Sequence, residues 1–392
     1  MKARYKLVII AILALLAVVF GPVAANAGGL DRTAVTGPTG IGNGSDQDGA
    51  WLQENLGSQI QKIGTQFVTG VEIMVPKFTY QDCWGRKWES KGVTHELPYL
   101  SYSQQLSEDR VVGVEISTKY GLGASFEKIY GCMDSRTLIS GTYVEPFIAQ
   151  RLSDHWSVGL GLVLVNSQLR WHGPFDVNRV YLPIDADTKA IGFGVGAAAG
   201  VFYQPTDDLA FGVNYTSSVK TRMSGRTEIQ RPFHLRDRIK TTFEFPDQLE
   251  ISGAWKATDR LLLVADWTLY GYSDNSLEAV KIRFNKLLIN KPVNTNWVDN
   301  YAVRAGASYK LSDRWTVGGG AGYMSKAIPD KTVDFMTPDV AGYFVAGRVK
   351  YQATKSVSLT AGISRGWGSN KARGAEITAD VWTGVLSASF DF

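Results

Sequence analysis

Apolar and polar residues alternate over many short stretches of this chain. Val112, Val114, Ile116 and Tyr120 are interleaved with Gly113, Glu115, Ser117 and Lys119, and Leu209, Phe211, Val213 and Tyr215 with Ala210, Gly212, Asn214 and Thr216. A period of two is that of a β-strand with one greasy and one polar face. Between such stretches a six-residue segment recurs: Gln105–Arg110, Arg151–Trp156, Gln204–Leu209, Lys256–Leu261, Lys310–Trp315 and Gln352–Val357 each carry Ser or Thr in third place. These hydroxyls bond to nearby backbone and favour a tight reversal, so each copy predicts a short hairpin turn. Segments 81–94, 121–141, 171–189, 221–243, 273–298, 326–342 and 366–380 are longer, irregular and predicted to be loops. Short turns at one end and long loops at the other describe an all-β, transmembrane antiparallel β-barrel, here of about 14 strands.

The ends of the strands add detail to this picture. Trp382, Leu386, Ala388, Phe390 and Phe392 share one face of a last strand, with Ser387, Ser389 and Asp391 on the other. That ending resembles the assembly signal of outer-membrane barrels, which makes Phe390 and Phe392 its residues and the barrel-assembly machinery its partner. Aromatics gather where strands meet turns or loops (Trp156, Tyr203, Trp255, Tyr270, Tyr272, Tyr309, Trp315 and Tyr351), as interfacial girdles do.

The N-terminus divides into two parts. Lys2, Arg4 and Lys6, the apolar run Leu7 to Phe20 and the Ala25-Asn26-Ala27 site have the order of a secretory signal, so residues 1–27 are expected to be cleaved. Residues 28–66 break the alternation. They are glycine-rich and end in an amphipathic piece with Trp51, Leu52, Leu56, Ile60 and Ile63. Residues 28–66 are either a periplasmic tail or a lumenal hatch; a barrel of this size encloses more space than its own side chains fill, so the hatch is favoured, with 67–392 the barrel.

Composition fits. Forty-one glycines and 45 aromatics suit alternating strands, and loss of the signal leaves 38 basic against 37 acidic residues, without the basic footprint of a nucleic-acid binder. No catalytic motif stands out: the chain lacks a nucleophile elbow, a zinc-protease helix and a phosphate loop. His95, His155, His172 and His234 are scattered singly, which argues against a metal site. Neither enzyme activity nor a cofactor is expected. Cys83 and Cys132 fall in the first and second long loops of an exported protein, where a disulfide or two free thiols are open alternatives and the bridge is favoured.

Several of these pieces resemble one family. Tyr120-Gly121-Leu122-Gly123-Ala124-Ser125-Phe126, the region 152–161, the region 192–225 with Tyr215-Thr216-Ser217-Ser218-Val219-Lys220, Pro246-Asp247 and Pro338-Asp339 are similar in order and spacing to the outer-membrane long-chain fatty acid transporters of the FadL type and their aromatic-hydrocarbon relatives. The family's Asn-Pro-Ala element near the N-terminus is absent. The resemblance implies a fourteen-stranded barrel with an N-terminal hatch and a kinked third strand that opens the wall sideways. Gly121, Leu122, Gly123 and Phe126 would then form the lateral gate. Apart from the resemblance, Arg170 stands beside Trp171 and near Phe175, so its guanidinium is expected to hold a fatty acid carboxylate while the rings take the chain.

The expected function is passive uptake of small hydrophobic molecules, fatty acids or aromatic hydrocarbons, by a monomer in the outer membrane of a Gram-negative bacterium. Lipopolysaccharide and outer-membrane lipid are its expected surroundings. Arg170 has a second reading, contact with lipopolysaccharide phosphate. A general porin for polar solutes, with an open charged lumen, and a structural or adhesive barrel are the competing readings.

Overall fold

The computed structural model of the protein describes residues 55–129, 133–177, 180–231, 234–273, 280–284, 290–293, 296–333, 335, 337–372 and 374–392. The predicted signal peptide, most of the predicted hatch and Cys132 lie outside the described residues.

Among the described residues the wall is a closed antiparallel barrel of fourteen strands. It starts with β1 (Thr65–Gln81), which carries the small hairpin partner β2 (Lys87–Glu89) at its outer end. β3 (His95–Ser107), β4 (Arg110–Leu122) with its outer extension β5 (Ser125–Ile129), β6 (Met133–Arg151), β7 (Trp156–Val177) and β8 (Val180–Thr206) follow in order. The next two wall strands are each broken once. β9 (Leu209–Thr216) and β10 (Val219–Arg231) pair successively with β8, as β11 (Leu235–Phe245) and β12 (Asp247–Thr258) do with β10 and β9. Ser217 interrupts the first, its hydroxyl accepting the Ala197 N–H at 3.0 Å, and Pro246 the second, since it has no N–H to give the ladder.

β13 (Leu261–Gly271) is prolonged by β14 (Val280–Phe284), and β15 (Asn290–Val293) leads into β16 (Asn300–Lys310). β17 (Trp315–Met324), β18 (Ala341–Thr354), β19 (Val357–Ala372) and β20 (Ala375–Asp391) complete the circuit. β20 pairs with β1 from Gln66↔Asp391 to Gln81↔Glu376, so no sheet edge is left at the seam.

All six predicted turns are tight hairpins, and the predicted hydroxyl performs the predicted task in most of them. Ser153 Oγ accepts the Trp156 N–H at 3.2 Å, Thr258 Oγ1 the Leu261 N–H at 3.0 Å, Ser312 Oγ the Trp315 N–H at 3.2 Å and Thr354 Oγ1 the Ser356 N–H at 3.2 Å. Greasy faces point outward: Phe211, Val213 and Tyr215 on β9, Ile191, Phe193 and Val195 on β8, and Trp382 and Leu386 on β20 are all exposed. In this barrel the apolar face of a strand belongs to the bilayer.

Two expectations need correction. Tyr270 and Tyr272 are not girdle residues but are buried in the lumen, because inward positions on β13 are the even-numbered ones. Much of the sequence predicted as long loops is also regular: β7–β8, β10–β11 and β19–β20 continue their pairing far into the segments 171–189, 221–243 and 366–380. Beyond the bilayer neither face meets hydrocarbon, so the alternation fades while main-chain pairing continues.

Candidate functional site

The wall is not evenly paired. β3 and β4 are bonded from Ser107↔Arg110 up to Leu100↔Ile116 and no further. Above that point 95–99 of β3 stays bonded to β1, and 117–122 of β4 to β6, so two neighbouring strands part. The cause lies on β4. Thr118 pairs with Thr142 and Tyr120 with Gly141, which leaves Lys119 as an extra, bulged residue.

Burial shows where the bend leads. A wall strand shows one exposed face, but here residues of both parities are covered, Ile116 (1%), Ser117 (8%), Thr118 (1%), Tyr120 (3%), Gly121 and Leu122 (0%), so this stretch has turned in from the wall. Pro98, which lacks an N–H, sits on the parted side of β3, where an unpaired edge tolerates it. The opening has an upper sill: Phe126 bridges Ser90, the Lys91 N–H donates to Ser125 O at 2.8 Å, and Lys91 forms an ion pair with Glu127. Between Pro76, Val93, His95, Gly123, Ala124 and Leu138 about 20 Å³ is free, room for about one water and too little for a hydrocarbon.

On the lumenal side of the opening lies an apolar chamber. Tyr120 stacks edge-on against Phe245 at 4.9 Å and lies 5.5 Å from Phe243; Tyr143, Trp297, Tyr272 and Tyr270 extend the cluster. Gly141 makes space for the Phe245 ring, which a Cβ there would approach to 2.8 Å. The roof comes from 325–340, where Ala327 and Ile328 are fully buried and both donate backbone N–H groups to Asp339 Oδ2 at 2.7 Å. A second aromatic cluster (Phe78, Phe126, Ile129 and Phe335, with Trp171 at its side) lies outward of the first.

Below the chamber the lumen turns ionic, strand by strand. Moving toward the short turns, Tyr143 is followed by Glu145, Phe245 by Glu250, Tyr270 by Thr268 and Asp266, and Ala302 by Arg304. Arg304 bonds Asp266 at 2.5 Å, Thr268 at 3.0 Å and Glu250 at 3.4 Å, and Lys119 meets Glu145 at 2.5 Å.

The segment 55–61 packs against the wall at this level. Asn55 donates to Val201 O and Val213 O at 3.0 Å, Leu56 N–H to Asn214 Oδ1 at 3.2 Å, and Ser157 Oγ–H to Gly57 O at 2.9 Å. The 3-10 helix Gly57–Gln61 thus lies flat on the inner wall. It can do so because Gly159 and Gly200 lack side chains: a Cβ on Gly159 would overlap the Leu56 carbonyl, and one on Gly200 would come within 2.8 Å of Leu56 N.

The residues singled out from sequence distribute as follows. Gly121 and Leu122 end β4, Gly123 lies at the break, and Phe126 begins the upper sill, so these four come together. Trp171 joins Phe126 in the outer aromatic cluster. Arg170 does not: successive residues of a strand face opposite ways, which places it on the outer surface of β7. Cys83 is exposed on the β1–β2 turn. Phe390 and Phe392 close the β1–β20 seam, Thr65 and Phe392 exchanging main-chain bonds at 3.3 and 2.8 Å. Sequence reasoning missed Lys119, Tyr143, Phe243, Phe245 and Trp297. The alternating aromatics Phe243-Glu244-Phe245 ahead of Pro246 were the available signal.

Comparison with known proteins agrees with this architecture. Residues 58–388 match the family described as outer membrane protein transport protein (OMPP1/FadL/TodX). The chain is 25% identical over 311 residues to outer membrane protein P1 of Haemophilus influenzae, covering 67% of this chain and 64% of that one. Over 326 residues it is 22% identical to a long-chain fatty acid transport protein of Escherichia coli, 73% of each chain being covered. The match thus spans just under two thirds of the first of these relatives. A FadL homologue of Pseudomonas aeruginosa superposes with a TM-score of 0.77 at 16% identity, over 93% of this chain and 100% of that one. The toluene transporter TodX of Pseudomonas putida gives 0.72 at 17% identity, over 94% and 99%. The chain is an outer-membrane β-barrel of Gram-negative type and belongs to the FadL/TodX family of outer membrane transport proteins.

Proposed function

We propose that this barrel takes up small hydrophobic molecules passively, holds them in the aromatic chamber and releases them sideways between β3 and β4 into the outer membrane. The observation that carries the reading is the parting of β3 from β4 above Leu100↔Ile116, next to an apolar chamber with an ionic floor. An apolar solute moving down would leave aromatic contacts for carboxylates, an ammonium and a guanidinium. Moving sideways, it keeps a hydrocarbon environment, worth about 25 cal/mol per Å² of apolar surface kept from water. The names of the relatives, one a fatty acid transporter and one a toluene transporter, support the same substrate class. An ion-paired floor with the hatch packed on it is the opposite of the open lumen a general porin needs. The narrowness of the opening means that β4 or its sill must shift during each passage.

A bulky residue at Gly123 is a poor test, because its Cβ would overlap the Thr137 carbonyl oxygen and disturb the wall itself. Deleting Lys119 is cleaner. It removes the extra residue, leaves Thr118↔Thr142 and Tyr120↔Gly141 as consecutive pairs, and lets β4 run straight beside β3. Uptake of a labelled hydrophobic substrate, at matched levels of heat-modifiable barrel, is expected to fall severalfold. Undiminished uptake would sink lateral release. Lys119→Gln keeps the extra residue, so an equal loss there would assign the effect to the Glu145 ion pair instead.

A further inference from the structure

On the outer surface of the barrel, at its loop end, four cations face one another in register. Arg170 of β7 pairs with Lys189 of β8, Lys189 with Arg226 of β10, and Arg226 with Arg238 of β11. Adjacent strands lie about 4.8 Å apart, so the row is about 15 Å long. Like charges directly opposite one another destabilise a sheet. Neighbouring carboxylates relieve only part of this: Lys189 bonds Asp187 at 3.1 Å, while no carboxylate among the described residues forms a salt bridge with Arg170, Arg226 or Arg238. Arg222 and Lys240, one or two residue pairs nearer the bilayer on the same face, are likewise exposed and without a salt bridge among the described residues.

The row stands where lipid headgroups are. Below Lys189 on β8 the outward residues are Ile191 (66% exposed), Phe193 (57%) and Val195 (58%), followed by Ala197, Ala199 and Val201 down to Tyr203 at the opposite girdle. That run gives an apolar band close to the ~25 Å expected of an outer-membrane barrel. The first polar position above it is Lys189. A surface that is greasy below and cationic above complements a lipid whose acyl chains lie below and whose phosphates lie above.

We infer that the row Arg170, Lys189, Arg226 and Arg238, half-buried at Arg170 and exposed at the other three, is a docking surface for a phosphorylated glycolipid of the outer leaflet, whose phosphates supply a counter-charge to the three arginines that form no salt bridge among the described residues. Arginine suits the task because its planar guanidinium bonds two phosphate oxygens at once. The row lies on the lipid side of β7, β8, β10 and β11, away from the β3–β4 opening, so it stands independently of the transport reading.

The test uses the full-length barrel, purified in detergent and titrated with diphosphoryl lipid A in native mass spectrometry, with Arg170→Gln/Arg226→Gln/Arg238→Gln as the variant. Since each cation near an anionic lipid surface contributes on the order of 1 kcal/mol, the folded triple variant is expected to bind at least about tenfold more weakly than wild type. Wild type is expected to prefer diphosphoryl lipid A to the same glycolipid without phosphates. Lys77→Gln/Arg365→Gln is expected to bind as wild type, because those outward cations already bridge Glu89 and Asp380 at 2.9 Å. Equal binding by a folded triple variant, or equal wild-type binding of the phosphate-free lipid, overturns the assignment. Should the triple variant not fold, wild-type binding that is insensitive to added salt overturns it by itself.

Discussion

Asp339 shows how much one buried carboxyl does in the roof of the chamber. Burial pushes its pKa up to about 6, although the Ala327 and Ile328 N–H groups pull it the other way. The folded value lies above the ordinary one of about 3.9, so the protonated roof is the more stable form. Its extra stability, on the order of 3 kcal/mol, is fully present below about pH 4 and lost as pH rises through 6. Amide exchange at Ala327 and Ile328, corrected for intrinsic rates, is expected to be slower at low pH than at neutral pH, and Asp339→Asn should flatten that dependence. Gly159 is as decisive at the floor. Gly159→Val drives a side chain into Leu56 and is expected to cost ~1–3 kcal/mol of hatch packing. Trypsin should then cut after Lys62, which is buried in the native protein, faster than in wild type; an unchanged cleavage rate would contradict this packing role.

At the scale of elements, the turns and the seam are worth testing separately. Thr258 Oγ1 accepts the N–H groups of Arg260 and Leu261 at 3.2 and 3.0 Å, so Thr258→Ala should lower barrel stability by about 0.5–1.5 kcal/mol, read from the denaturant midpoint, without affecting uptake. Phe392 acts differently. Its main-chain bonds with Thr65 are the last rungs of the β1–β20 ladder, and its side chain is exposed. Removing it should reduce the heat-modifiable barrel recovered in outer membranes more than it destabilises barrel already formed; normal recovery would discount a role in assembly. The bend in β4 belongs to this scale as well. The bulge at Lys119 comes before Gly123 in the chain, so Gly123, where a Cβ would overlap the Thr137 carbonyl of β6, permits the close crossing over β6 but does not initiate the turn.

The described residues are layered along the barrel axis: roof, aromatic chamber, ionic floor and the segment 55–61. Two opposed walls supply the floor, Arg304 with Asp266 and Glu250 on one and Lys119 with Glu145 on the other, with the segment 55–61 packed beside them. Such a stack should pass little current. In planar bilayers the intact protein is expected to show small, brief conductance, whereas deletion of residues 28–61 should produce a larger and steadier one. A large open current from the intact chain would mean that the hatch does not occlude the lumen.

The architecture was largely legible in the linear pattern, because strand, turn and bilayer act on residues close in sequence. Alternation marked the walls, Ser and Thr marked the reversals, and the exposed Phe211, Val213 and Tyr215 lie on the predicted greasy face. What the lumen contains was not legible. Tyr270 reads like a girdle aromatic until the parity of β13 is known, and Arg170 and Trp171 read as one capture pair until the strand sends them to opposite faces. The opening depends on one extra residue in a ladder, which only the pairing of β4 with β6 reveals. The cation row likewise exists only through register: Arg170, Lys189, Arg226 and Arg238 are scattered over 69 residues of chain and meet because four strands align them. Local chemistry determined the kind of wall, and long-range pairing decided where that wall opens, what fills it and which charges it brings together.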